Sequence, residues 1–350
     1  MNARFLTRPI TGAQRYAIEI ARQMRRLDPA VRFLAPRGIC HPELAEELGV
    51  EVVGRRSGVA WEQLDLPRAL RRLGRPVLIG MSFTAPLRYA PSIITVHDVC
   101  FTRREWVSRG FYHYYNFIVP RLCRRAARVV TVSEFSKSEI VAVLGVPEDK
   151  IDVVYNAVSP EMVEHGAAAP ANARGDYVLG AATLQPRKNF PALVRAFRRL
   201  DDTGLRLVIA GSVDPKVYGR DPSMRGLFDD PRVELAGYVS DAELAALYRH
   251  ARVFVYPSLY EGFGIPPIEA MSLGCPVITS NVASLPEVCG DAAHYVDPHD
   301  DGAIAAAIAQ VIGDPAYRQA LVAKGLARVK RYDWRRSAER FLEIAASAVD

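Results

Sequence analysis

Two glutamates with seven residues between them, Glu261 and Glu269, bracket the stretch of this chain richest in chemistry, residues 256–274. Glu269 is the only charged residue from 262 to 286. A carboxylate buried in so apolar a run costs several kcal/mol unless hydroxyl or N–H donors meet it. Between the two acids, Gly262 and Gly264 let the backbone turn and approach a ligand, and Pro266-Pro267 set the first turn of a helix. The N-terminus of such a helix carries unpaired N–H groups and a positive dipole, which makes it a ready anion site.

Further groups have matching chemistry. Arg187 and Lys188 precede a helix expected from Phe190 to Leu200, with Asn189 as its N-cap and Pro191 in its first turn. Two cations there oppose the helix dipole, a cost that a bound anion reverses; a solvated pair is the ordinary alternative. His97-Asp98 closes an apolar strand, Ser92 to Val96. Ligands gather at the carboxyl ends of parallel strands, so His97 faces a crevice with Asp98 placed to orient its imidazole; a satisfied structural histidine is the alternative. Thr11-Gly12-Ala13-Gln14 has capping-box spacing, and Tyr16, Ile20 and Met24 follow at helical period.

The elements that must position these groups alternate. Residues 3–7 read as the end of a strand. Strands follow at 31–35, 52–53, 76–79, 92–96, 128–132 and 151–155, with helices at 42–48, 61–73, 109–126 and one opened by a Ser136–Glu139 capping pair and running to Leu144. Alternation of this kind implies a parallel sheet covered by helices on both faces. The pattern resumes with strands at 177–182, 207–210, 233–235, 252–256, 276–279 and 295–296, a Ser240–Glu243 capping box, and closing helices from about Gly302, Ala316 and Trp334. The small, poorly patterned stretch around 165–175 reads as a linker. The expected division is a first domain over 1–165, a linker over 166–175, a second domain over 176–332 and a final helix over 333–350.

Composition excludes several classes. With 350 residues, 49% apolar and 24% charged, the chain suits two globular domains. It shows no apolar run of membrane-spanning length and no signal-peptide pattern, so a soluble, cytoplasmic protein is expected. Cysteines at 40, 100, 123, 275 and 289 are odd in number and lack C-x-x-C spacing, so buried thiols are expected rather than disulfides or zinc. The absence of any Asp-x-Asp triplet points to chemistry without a metal, and no cofactor is expected. Neither half shows G-x-G-x-x-G after a strand, against a nicotinamide dehydrogenase. Charge is uneven: residues 1–170 carry 24 Lys and Arg against 17 Asp and Glu, a net +7, and the rest 21 against 22, a net −1. A basic first half suits nucleic acid, an anionic leaflet or an anionic acceptor, and a solvated helix face is the alternative. Interleaved aromatics at Trp106, Phe111, Tyr112, Tyr114 and Tyr115 favour a segment facing membrane or acceptor, and no nucleic-acid-binding motif is present.

The run Y-E-G-F-G-I-P-P-I-E-A-M-S-L-G-C-P-V-I over 260–278, continued by S-L-P-E-V-C-G-D-A-A over 284–293, resembles the signature of retaining glycosyltransferases of the GT-B fold, specifically the fourth family with its many bacterial mannosyltransferases. More loosely, the likeness covers nearly the whole chain. It implies an α/β protein of two Rossmann-like domains facing across a cleft, the C-terminal helix crossing back to the first, with the nucleotide sugar held mainly by the second domain and the acceptor by the first. It implies catalytic roles for His97 and Glu261 at the donor sugar and for Arg187 and Lys188 at the diphosphate. Substrate-binding roles fall to Gly12 near the donor phosphates, Asp98 beside His97, Val239 at the nucleobase, Phe263, Gly264 and Ile265 at the glycine loop, and Glu269 at the ribose hydroxyls. Two departures stand out: one glycine, Gly12, where the family has a pair after a fuller strand, and Ala157 where it has glycine in N-G-V. The implied activity is metal-independent, retaining transfer of mannose from GDP-mannose to a saccharide acceptor on a lipid carrier, in bacterial surface polysaccharide assembly. UDP-glucose, UDP-N-acetylglucosamine, a GDP-deoxysugar, or epimerisation of a sugar nucleotide on the same fold stand as alternatives, and a non-catalytic partner protein has no need of both carboxylates and the Arg-Lys pair.

Overall fold

The computed structural model describes all residues except 170–174, 202–203, 213–225, 227–228 and 349–350. It divides into two compact units, Met1–Asn156 with Asp333–Asp350, and Ala157–Tyr332.

In the first unit the order is α1 (Gly12–Leu27), β1 (Leu34–Ala35), α2 (Pro42–Leu48), β2 (Glu51–Val52), α3 (Gly58–Ala60), a π-helical turn (Trp61–Asp65), α4 (Leu66–Arg72), β3 (Leu78–Gly80), β4 (Ser92–Thr95), α5 (Arg109–Arg125), β5 (Arg128–Thr131), α6 (Glu134–Leu144) and β6 (Ile151–Val153). The strands pair in parallel as β1–β2 and β3–β4–β5–β6. Asn2 bridges both groups, lying between Leu34 and Gly80. The strand expected at 3–7 is therefore absent: the Asn2 carboxamide accepts from Arg4 N at 3.1 Å and turns the chain into a 3-10 helix, Arg4–Thr7.

In the second unit α7 (Pro160–Ala168), β7 (Tyr177–Ala181), α8 (Phe190–Phe197), β8 (Arg206–Ala210), β9 (Val233–Gly237), α9 (Asp241–His250), β10 (Val253–Tyr256), α10 (Ile265–Ser272), β11 (Val277–Ser280), α11 (Leu285–Cys289), β12 (Ala293–Val296), α12 (Asp301–Gly313) and α13 (Pro315–Arg328) build one parallel sheet in the order β12-β11-β10-β7-β8-β9. Strands β7, β10 and β11 are buried throughout, as the apolar strands of a doubly covered parallel sheet must be. One core joins Val178, Leu207, Ile209, Val253 and Val255 to Phe190, Leu193 and Phe197 of α8 and Ile304 and Ile308 of α12. Gly180 sets the distance: a Cβ there would lie 2.9 Å from both Leu193 and Phe190, so glycine lets α8 press onto β7.

The final helix α14 (Trp334–Ser347) belongs to the first unit and packs on α1, as expected for a helix that returns there. Trp334 meets the buried Tyr16 edge-on at 6.0 Å. Ser337 donates to Tyr155 O at 2.7 Å, and Arg340 joins Arg128 on the buried Asp152 carboxylate.

Several expectations change. The division falls after Asn156 rather than 165, because α7 packs on α9 in the second unit. Of the expected linker, 166–168 close α7 and 170–174 lie outside the described residues. Helix α6 is capped by Ser133, whose Oγ accepts from Ser136 N at 3.0 Å, and not by Ser136. Thr11 bonds Gln14 side chain to side chain instead of forming a reciprocal box, whereas Ser240 and Glu243 form theirs. Cys40 is exposed; Cys123, Cys275 and Cys289 are buried. Among the described residues no helix is long and apolar enough to cross a membrane.

Removing the Trp334 side chain from the α1–α14 contact leaves a cavity that a rigid pair of helices closes only in part. Trp334→Ala is expected to lower unfolding free energy by about 3–5 kcal/mol, measured by urea denaturation with circular dichroism. A loss under about 1 kcal/mol would show that this side chain does not hold the helix.

Candidate functional site

Strands β7 and β10 are neighbours in the second sheet although β8 and β9 intervene in the chain. Strand order therefore reverses between them, and the carboxyl ends of two such strands open a crevice where ligands bind in sheets of this type. The segment after β7 carries Arg187 and Lys188, and the segment after β10 carries Glu261.

There the side chains converge. Glu261 Oε1 accepts from Lys188 Nζ at 2.5 Å, Tyr256 Oη at 2.8 Å and Ser258 Oγ at 2.6 Å; Oε2 accepts from Arg187 Nη1 at 3.1 Å. Lys188 also donates to Tyr256 Oη at 2.6 Å, and Arg187 to Tyr260 O at 3.0 Å. Burial pushes the Glu261 carboxyl up, but Lys188 and Arg187 outweigh it and hold the group at about 2. Burial and the Glu261 charge keep the Tyr256 phenol well above its ordinary range, so it stays a hydroxyl and a donor. Both cations thus have a buried counter-ion, which offsets the dipole cost foreseen for a bare pair at α8. A carboxylate offers about four acceptor sites. Among the described residues, three side-chain donors meet Oε1 and Arg187 meets Oε2.

The Asn189 side chain does not cap α8. The residue takes a left-handed conformation, φ 56°, and donates to Pro298 O at 2.7 Å. Past β10, Gly264 has φ 99°, and a Cβ there would lie 2.7 Å from Leu285, so only glycine allows this entry into α10. Ser284 Oγ lies 2.9 Å from both Glu261 O and Phe263 O, and the Phe263 ring meets Tyr332 edge-on at 5.3 Å. The loop before α10 is held from three sides. Ile265, Pro266 and Pro267 then form the first turn, as their spacing predicts. Glu269 is buried on this helix and accepts from Tyr248 Oη at 3.3 Å, a hydroxyl partner of the kind its setting requires. Tyr248, Phe254 and Tyr256 pack ring against ring, at 5.1 and 5.8 Å, and join the supports of the two glutamates. Val239 lies half-buried beyond β9, just after Gly237.

The remaining expected residues belong to the first unit. The His97 ring packs edge-on against Tyr16 at 5.0 Å and Phe83 at 5.3 Å, and its Nε2 lies 3.1 Å from Met81 O. A carbonyl only accepts, so Nε2 carries the proton and Nδ1 of the neutral ring is an acceptor. Burial lowers the His97 pKa, with Asp98 pulling the other way. Asp98 does not orient the imidazole: its carboxylate accepts from Cys100 N at 2.9 Å, and Met81 O does the orienting. Gly12 is the exposed first residue of α1. Among the described residues no group of three or more His, Cys, Asp or Glu side chains is placed to hold a metal ion.

Sequence reasoning missed Tyr256, Ser258, Tyr248 and Ser284. Tyr256 and Ser258 stand five and three residues before Glu261, so a search for hydroxyls upstream of the acid finds them. Nothing local marks Tyr248 or Ser284, which arrive from other elements.

Comparison with known proteins shows the family and the fold. A family model described as "Glycosyltransferase Family 4" matches residues 10–162, and one described as "Glycosyl transferases group 1" matches residues 165–328. The chain is 36% identical over 289 residues to O-antigen chain mannosyltransferase B of Escherichia coli, covering 76% of this chain and 73% of that protein. It is 27% identical over 330 residues to O-antigen chain mannosyltransferase RfbU of Salmonella typhimurium, covering 86% and 87%. In three dimensions it matches the Anabaena protein HepE, solved with UDP and glucose, at a TM-score of 0.74 and 19% identity over 97% of both chains.

The triad sets a pH dependence. A carboxyl whose folded pKa is depressed contributes stability that is present in full above its ordinary value, 4.5, and is lost as pH falls toward about 2. Glu261→Gln is expected to cost about 3–5 kcal/mol near neutral pH, because two cations lose their counter-ion. In urea unfolding the gap from the parent should narrow between pH 4.5 and 2. A gap unchanged across that window would mean that Glu261 is not the anchor of the cations.

Proposed function

The chain belongs to glycosyltransferase family 4 and has the GT-B fold, and from that premise we propose that it transfers mannose from GDP-mannose to a saccharide acceptor, with retention and without a metal. The observation that carries this reading is the Arg187–Lys188–Glu261 cluster beside the α10 N-terminus. Departure of a nucleoside diphosphate builds negative charge on its phosphates. Arg187, Lys188 and the N–H groups at Gly264 and Ile265 are the positive groups available to it, and removing one such donor typically costs about 10²–10³ in kcat. When the diphosphate arrives, the cations share themselves between it and Glu261, which stays ionised with Oε2 able to accept a sugar hydroxyl. Glu269 takes the ribose hydroxyls, Val239 borders the base, Phe263 walls the glycine loop, and the His97 Nδ1 accepts from the sugar, with Asp98 steadying the backbone that follows and Gly12 opening α1 toward the phosphates.

Mannose rests on the relatives' activity, since both O-antigen enzymes compared above are mannosyltransferases. A lipid-linked O-antigen or lipopolysaccharide precursor as acceptor follows the same line. The first unit supports peripheral contact with an anionic inner leaflet: Phe117 is 54% exposed on α5 with the Arg121 guanidinium over its ring at 3.8 Å.

Calorimetric titration with a panel of sugar nucleotides in the presence of chelator tests this. GDP-mannose is expected to bind best, and Arg187→Ala and Glu269→Ala each to lose at least about tenfold in affinity, roughly 1.4 kcal/mol. If no sugar nucleotide binds, or both variants bind like the parent, the site assignment falls; preference for another nucleotide would leave the site and replace the donor.

A further inference from the structure

The bend that carries Arg187 and Lys188 turns on one residue. Asn189 closes the 3-10 turn Pro186–Lys188, its N–H donating to Pro186 O at 3.1 Å, and also opens α8, its carbonyl accepting from Ala192 N at 3.1 Å. To do both it holds φ 56° and ψ 34°. Among the described residues four non-glycine positions have positive φ, and Asn189 is the one that adjoins the cations. The left-handed region strains residues that carry a Cβ, and asparagine tolerates it better than most. Right-handed backbone at 189 would run the 3-10 turn straight into α8 and leave both cations in line with that helix at its N-terminus, where the dipole opposes them.

The side chain adds what glycine lacks. Asn189 Nδ2 donates at 2.7 Å to Pro298 O, 109 positions along the chain. Pro298 stands in the corner between β12 and α12, and that corner is firmly built. Asp300 Oδ1 accepts from Ala303 N at 2.9 Å to cap α12, Asp301 pairs with Arg195 of α8 at 2.6 and 3.1 Å, and Ile304 and Ile308 share one core with Phe190, Leu193 and Phe197. Asn189 thus ties the bend to the α8–α12 pair. From the other direction, Arg187 O accepts at 2.7 Å from Leu259 N, two residues before Glu261.

Ordering two long cationic side chains costs conformational entropy, so a pair already placed by its backbone has less to lose when an anion arrives. We infer that Asn189 is a positioning residue for Arg187 and Lys188, an inference that rests on the donor-binding reading above. Its left-handed turn and its bond to Pro298 O set where the two cations stand beside Glu261, and thereby the grip on a nucleoside diphosphate. Asn189 acts through its neighbours and not on the ligand.

The test compares Asn189→Gly, which keeps the left-handed turn and loses the Pro298 bond, with Asn189→Ala, which loses both. Calorimetry on the full chain, with GDP and UDP as probes, is expected to show affinity about threefold weaker in Asn189→Gly and at least about tenfold weaker in Asn189→Ala. Urea unfolding supplies a readout without nucleotide. Burial raises the Glu261 carboxyl and the two cations hold it down at about 2, so displacing them lets its pKa climb back toward 4.5. The stability lost between pH 4.5 and 2 is therefore expected to be smaller in Asn189→Ala than in Asn189→Gly or the parent. A purely structural role would lower the stability of both variants and leave the nucleotide affinity of the folded chains alone, which overturns the assignment. Asn189→Ala binding within about twofold of the parent, or Asn189→Gly binding as weakly as Asn189→Ala, overturns it too. Should Asn189→Ala not fold, Asn189→Gly decides, and affinity equal to the parent's refutes the role of the Pro298 bond. If neither GDP nor UDP binds the parent, the donor reading has failed, and the acid limb of unfolding alone decides whether Asn189 places the cations.

Discussion

One buried carboxylate organises the second unit. Glu261 lies where two cations, a phenol and a serine hydroxyl all need an acceptor, and none of these groups is cheaply buried without it. The same contact joins the segments after β7 and β10, so the loops at the switch point are tied by charge as well as by sheet pairing. A charge pair of this type is poor evidence for added stability, because desolvation cancels much of the attraction. Its value lies in placement: Glu261 fixes Arg187 and Lys188 at the crevice, and for the donor binding proposed above such fixed groups lower the ordering required.

Both units gather charged and polar side chains at the same topological position. In the second, the reversal between β7 and β10 gathers the Arg-Lys pair and the acid, and α10 adds its N-terminus. In the first, the reversal at Asn2 opens a cavity lined by the Phe83, Phe111 and Tyr115 rings and by the buried Glu62, which accepts from Asn2 and Thr84. Parallel strands place all their following loops at one end, so residues remote in the chain meet wherever strand order turns back. Packing supports both places. Gly180 lets α8 approach β7, and Trp334 with Ser337 and Arg340 holds α14 on the first unit.

Burial also selects protonation states. Glu261 remains ionised because its cations outweigh its desolvation, while Tyr256 remains a donor because burial and that same charge oppose its ionisation. His97, desolvated between Tyr16 and Phe83, is neutral with its acceptor nitrogen fixed by Met81 O. At neutral pH these are the states the residue types favour on their own, and their surroundings reinforce each of them.

The amino-acid sequence by itself determined whatever rests on local chain chemistry: buried parallel strands from continuous apolar runs, α1 from its Tyr16–Ile20–Met24 period, the turn and helix entry from Gly264 and the two prolines, and the family from residues 260–293. It left undetermined whatever depends on partners from elsewhere. Arg187 and Lys188 looked like bare cations awaiting an anion, and only the tertiary structure brought Glu261 to them across more than seventy residues of chain. Asp98, adjacent to His97 in sequence, turned to Cys100 N, and a carbonyl sixteen residues away took its place. Glu62 carried no signal within its helix, because what makes it notable is the company of Asn2, Arg4 and Thr84. Local patterns encode backbone geometry and which face is buried, whereas hydrogen bonds between distant side chains exist only once strand order has decided which loops become neighbours.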